Sequence, residues 1–119
     1  MFKIIASVLM MVFPAGMPSD IRRIYENKLT KETYMGCYEL TAYTWTGNPC
    51  ADGVYPSEGY TVASNDPSLW HKWIRIDGYG EYYVHDTGGM ATNVIDVYVG
   101  GYSEAIQFGR RKADIYIIE

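Results

Sequence analysis

Val84-His85-Asp86-Thr87-Gly88-Gly89-Met90-Ala91-Thr92-Asn93-Val94-Ile95-Asp96-Val97-Tyr98 is the stretch on which the reading of this chain turns. Just before and into it, Tyr82 and Val84 alternate with Tyr83 and His85, the period of two of a half-buried strand that ends at Asp86. Gly88-Gly89 supplies a sharp turn and lets another segment approach closely. Val94 to Val99 is then a β-branched run interrupted by one carboxylate, Asp96. Burying an ionised carboxylate without a partner is costly, so this local conflict marks Asp96 as functional. Two strands joined in this way are placed to bring Asp86 and Asp96 together.

Working outward, Trp73 to Asp77 alternates and meets Gly78-Tyr79-Gly80, a hairpin connection into Glu81 to Asp86. Tyr60 to Ser64 reads as a strand closed by Asn65-Asp66-Pro67. Tyr38 to Thr44 reads as another, followed by the turn residues Thr46-Gly47-Asn48-Pro49 and a loop from Asp52 to Gly59. Downstream, Gly100-Gly101 breaks the chain and Ser103 to Arg110 is expected to be a core helix, with Ser103 as its cap and Gly109 near its end. Ala113 to Ile118 is the last strand. Six short strands and one short helix near the C-terminus predict an all-β domain, a small closed or nearly closed barrel.

A chain of 119 residues fits one domain. Its net charge of −4 leaves no basic stripe to neutralise phosphates, which argues against nucleic acid as a partner. The two histidines and two cysteines form no spaced ligand cluster, so neither a metal nor a cofactor is expected. Met1-Phe2-Lys3, the apolar run Ile4 to Phe13 and Pro14-Ala15-Gly16 read as a signal peptide or N-terminal anchor over residues 1–18, with export as the expected fate. That run is too short to span a bilayer comfortably, and no other membrane contact is expected. Residues 19–36 are expected to be a linker or a short helix from Ser19-Asp20 through Asn27, and residues 37–119 the domain itself. Cys37 and Cys50 either close a small disulfide loop, adding about 3 kcal/mol in the chain-entropy model, or stay as two thiols.

Three aspartates end or interrupt strands in the second half: Asp66, Asp86 and Asp96. If they converge, mutual repulsion and desolvation raise the pKa of at least one, and a carboxyl kept protonated can donate to a leaving oxygen. Asp66 before Pro67 and Asp86 before Thr-Gly-Gly also fit ordinary turn chemistry. Asp96, flanked by Val-Ile and Val-Tyr, does not.

The strand with Thr41-Ala42-Tyr43-Thr44, the segment Val62-Ala63-Ser64-Asn65-Asp66-Pro67, Gly78-Tyr79-Gly80 leading to Asp86-Thr87-Gly88-Gly89, Ile95-Asp96-Val97-Tyr98 and Ala105 with Phe108-Gly109-Arg110 follow one another in the order of the three-aspartate (3D) domain. Over roughly residues 38–118 the chain resembles that family, which is similar to the catalytic core of MltA-type lytic transglycosylases and includes small stationary-phase muralytic proteins of Firmicutes. The resemblance implies a six-stranded double-psi β-barrel, a secreted or cell-wall location, and cleavage of peptidoglycan glycan strands between N-acetylmuramic acid and N-acetylglucosamine. It implies Asp96 as the single catalytic acid, and Asp66, Asp86, Thr87 and Gly88 as supporting or substrate-binding residues. Tyr43 and Thr44 are assigned to the groove. Trp70, Trp73 and Tyr79 suit either sugar stacking or ordinary core and rim packing. The turn Ser68-Leu69-Trp70-His71-Lys72 and the loop Val54 to Gly59 depart from the family pattern.

Two rivals remain beside this reading. A carbohydrate-binding barrel of the barwin or expansin kind needs no catalytic acid. An aspartic protease uses Asp-Thr-Gly, present here once as Asp86-Thr87-Gly88, and requires a second copy from a dimer. His85, opposite to Asp86 on a regular strand, is assigned no role.

Overall fold

The computed structural model describes residues 14–22 and 31–119. Residues 1–13 of the expected signal peptide or anchor, and residues 23–30 with the end of the expected helix at Asn27, lie outside the described residues. Six strands form a closed ring: β1 (Glu32–Tyr43), β2 (Thr61–Ser64), β3 (Trp73–Ile76), β4 (Gly80–Asp86), β5 (Val94–Tyr98) and β6 (Arg111–Ile118). Around the barrel the order is β1-β5-β2-β4-β3-β6. β1 runs parallel to β5 and β2 parallel to β4, while β1/β6, β2/β5, β3/β4 and β3/β6 are antiparallel. The expected class, a small six-stranded all-β barrel with one short helix late in the chain, is the one found, closed and of mixed pairing.

Alternation accounts for the interior. Leu40 on β1, Ile74 and Ile76 on β3, Val84 on β4, Ile95 on β5 and Ile115 on β6 are fully buried in one cluster. Each such side chain contributes about 1.5–3 kcal/mol relative to an exposed one. Glu39, Thr41 and Tyr43 on β1 and Asp96 on β5 take the alternate, outward positions.

Three expectations are corrected. β1 starts at Glu32, not near residue 37 or 38: Glu32 to Cys37 pair with Ile118 to Asp114 of β6, so part of the expected linker is barrel wall. Helix α1 (Tyr102–Phe108) is not a core helix, for none of its residues is buried, and Tyr102 and Ile106 are largely exposed. The strands alone fill so narrow a barrel. Gly101, not Ser103, caps it, without a side-chain bond, and Gly109 ends it at φ 63°. Cys37 is exposed and Cys50 buried, and both are free thiols.

Candidate active site

The run that looked too apolar for a carboxylate is resolved by the barrel wall. Ile95 and Val97 point inward, and Asp96 points out, into a cleft of about 330 Å³ beneath the connection that follows β1. Register fixes its neighbours: Asp96 pairs with Thr41 of β1 on one side and Ala63 of β2 on the other. Ala63 in turn pairs with Asp86 of β4. Two strand spacings of about 4.8 Å therefore separate the two aspartates along the wall, with a methyl group between them as floor. Tyr43, Ala63, Asp86, Thr87, Gly88 and Asp96 all line this cleft, joined at its rim by Thr46 and Pro49.

A β-bulge aims Asp86. Val62 pairs with Val84, but the next residue, Ala63, pairs with Asp86, so His85 is the extra residue. Two residues of the bulged strand thus oppose one of its partner, which turns both toward the same side. The expectation that His85 points away from Asp86 fails for this reason. His85 is fully buried: its Nε2 lies 2.8 Å from Thr61 Oγ1, and its Nδ1 3.1 Å from each carboxylate oxygen of Asp52. Thr61 Oγ1 also accepts from the Ser57 amide at 2.9 Å. Burial works against the Asp52 carboxylate, but the Val54 amide and His85 outweigh it and hold its pKa below the ordinary range. His85 is therefore the post to which the loop over the cleft is tied.

The two cleft carboxylates are served unequally. Asp86 accepts from Tyr43 Oη at 2.8 Å, the Ala51 amide at 2.9 Å and the Thr87 amide at 2.9 Å. Asp96 accepts one bond, from Thr41 Oγ1 at 2.9 Å to Oδ1. Burial pushes the pKa of Asp96 up, the negative charge of Asp86 pushes it further, and the Thr41 hydroxyl opposes both. Burial and the bond to Asp86 likewise raise the Tyr43 phenol, keeping it a donor. Buried Cys50 is raised to about 12, by burial first and then by the charges of Asp86 and Asp52, so it stays a thiol.

Asp66 is not in this cleft. It caps the 3-10 turn Pro67–Leu69, accepting from the Ser68 amide at 2.9 Å and the Ser68 hydroxyl at 2.7 Å, and takes a 2.5 Å bond from Tyr38. Those donors overcome its burial and hold its pKa low. The expected gathering of three aspartates is thus a gathering of two, and Asp66 has the turn role that its Pro67 neighbour suggested. Thr44 follows β1 without lining the cleft, whereas Thr46 does.

Asn65 went unmarked in the sequence. Its Nδ2 donates 2.6 Å bonds to the carbonyls of Gly88 and Met90, and its Oδ1 accepts from the Gly88 amide at 3.2 Å. It clamps the Asp-Thr-Gly-Gly loop from across the sheet. Among the described residues no group of His, Cys, Asp and Glu is arranged to hold a metal ion. No protein-family model and no curated protein matches the chain.

Proposed function

We propose that the chain is a lytic transglycosylase of peptidoglycan, acting outside the cell, with Asp96 as its one catalytic acid. The observation that carries this reading is a half-buried carboxyl of raised pKa that opens on a cleft lined also by a second carboxylate, Asp86, which accepts three hydrogen bonds. Two carboxyls whose surroundings differ in this way suit different roles, and the acid's role falls to Asp96.

The chemistry needs one proton moved twice. Thr41 occupies Oδ1, which leaves Oδ2 of Asp96 as the oxygen from which the acid form donates. It protonates the glycosidic oxygen between N-acetylmuramic acid and N-acetylglucosamine as the bond to C1 breaks, and positive charge develops at C1 and the ring oxygen. The muramoyl C6 hydroxyl attacks C1, closing a 1,6-anhydro ring, and its proton passes to the Asp96 carboxylate, restoring the acid. No water attacks, so no second carboxylate is needed as base or nucleophile, unlike ordinary glycoside hydrolysis. Asp86, held by Tyr43, Ala51 and Thr87, faces the developing charge and adds to the burial that raises the Asp96 pKa. Tyr43, Thr87 and the Gly88 backbone shape the wall that receives the sugar.

Mass spectrometry of purified peptidoglycan incubated with the chain tests this. Anhydromuramoyl products are expected, falling by about 10²–10⁴-fold in the Asp96→Asn variant, the range for loss of a general acid. Reducing-end products identify a hydrolase instead. Saccharide binding without any product identifies a binding barrel.

A further inference from the structure

The turn that departs from the family pattern builds a second cleft. It has a volume of about 480 Å³ and is walled by Asp66, Pro67 and Trp70, with Ser64 and Asn65 at its base. Thr87 lines this cleft and the aspartate cleft alike, so the two meet at that residue. We propose that the Trp70 cleft is a second saccharide subsite, in which a pyranose ring of the same glycan stacks on the open side of the Trp70 indole.

Three features support it. Trp70 is half-buried, with part of its ring packed against the core and the rest open to the cleft. An aromatic plate beside polar groups suits a pyranose, which presents apolar C–H faces and a polar rim. Asp66 supplies such a group: its oxygens accept from Ser68 and Tyr38 yet retain acceptor capacity, since a carboxylate offers about four lone-pair sites. The exposed Thr87 hydroxyl stands on the ridge between the clefts, within reach of rings on either side.

The plate is also preorganised. The Leu69 amide bonds Asp66 O at 3.0 Å, the Lys72 amide bonds Leu69 O at 3.1 Å, and the His71 amide bonds Val84 O of β4 at 2.9 Å. His71 adopts φ 59°, which a non-glycine residue reaches only when its surroundings require it. Its ring meets Trp70 edge-on at 4.5 Å, and its Nδ1 lies 3.2 Å from Tyr83 Oη. A platform fixed before binding saves the ordering cost that a mobile one incurs.

This subsite rests on the glycan-cleaving reading for its polymer, but its test does not rest on turnover. The full chain is titrated with the β-1,4-linked tetramer of N-acetylglucosamine while the indole N–H resonance of Trp70, assigned through Trp70→Phe, is followed by NMR. A saturable shift of that resonance is expected, with affinity about tenfold weaker in Trp70→Ala and largely kept in Trp70→Phe. Shifts confined to residues around Asp86 and Asp96, or equal affinity in wild type and Trp70→Ala, overturn the subsite. Should Trp70→Ala fail to fold, the wild-type resonance decides alone. If peptidoglycan is not cleaved while the Trp70 resonance still moves, the activity fails and the subsite stands. If anhydromuramoyl products form with unchanged KM in Trp70→Ala, the subsite fails and the activity stands.

Discussion

At the scale of single residues, burial and then the charge of Asp86 raise the Asp96 carboxyl against the pull of one Thr41 hydroxyl. In the proposed reaction the acid step requires protonated Asp96, so activity is expected below its raised pKa and is expected to be lost as pH climbs through it. Two substitutions should move that basic limb in opposite directions. Asp86→Asn deletes a charge that raises the Asp96 pKa, which should carry the limb to lower pH. Thr41→Val deletes the hydroxyl that favours the ionised form, which should carry it to higher pH. A pH–rate profile of peptidoglycan cleavage checks both, and a common direction would refute the assignment of Asp96 as acid. Asp96 was legible in the sequence because a carboxylate amid Val, Ile and Tyr contradicts its surroundings. Thr41 and Asn65 were not, since a Thr in a strand and an Asn before Asp-Pro satisfy every local rule without their long-range partners.

At the scale of elements, the site depends on β2 as a spacer. Ala63 is almost fully buried between Asp86 and Asp96, so a larger side chain there would intrude on the cleft in which the proposed reaction places the sugar. Ala63→Leu is expected to reduce cleavage by tenfold or more while circular dichroism still reports the barrel, the added methylenes costing about 1–3 kcal/mol of stability. Strand periodicity made β2 to β5 legible to within a residue or two, because β-branched runs and glycine turns bound them. The bulge at His85 was hidden, for it lies in the register between two strands distant in sequence, and register is a property of the pair. The same limit applies to α1: Ser103 to Arg110 carries good capping residues, but only the finished barrel shows that its interior has no room for them.

At the scale of the whole molecule, closure decides stability. β1 and β6 form the longest ladder, from Glu32↔Ile118 to Leu40↔Arg111, interrupted between Tyr34 and Gly36. Gly36 sits there at φ 120°, a conformation that side-chain-bearing residues rarely adopt. A truncation of residues 1–30 keeps this ladder and the Lys31–Glu119 bonds, and its melting temperature is the reference. Removing residues 1–36 strips the outer half of the ladder and the Arg75–Glu32 ion pair, and is expected to cost about 3 kcal/mol, or ten degrees or more in Tm. Thermal unfolding of the two truncations checks this, and equal midpoints would show that the early strand start is ornamental. At the open end of that ladder the Lys31 and Glu119 backbones exchange two hydrogen bonds, of 3.2 and 2.9 Å. Tension applied between those two residues would act across neighbouring antiparallel strands at one end, parting the bonds singly instead of loading them together. The barrel is in that sense a zip fastener, yielding at low force from its seam, and a tether at both residues would open the wall of β1 that carries Thr41 and Tyr43.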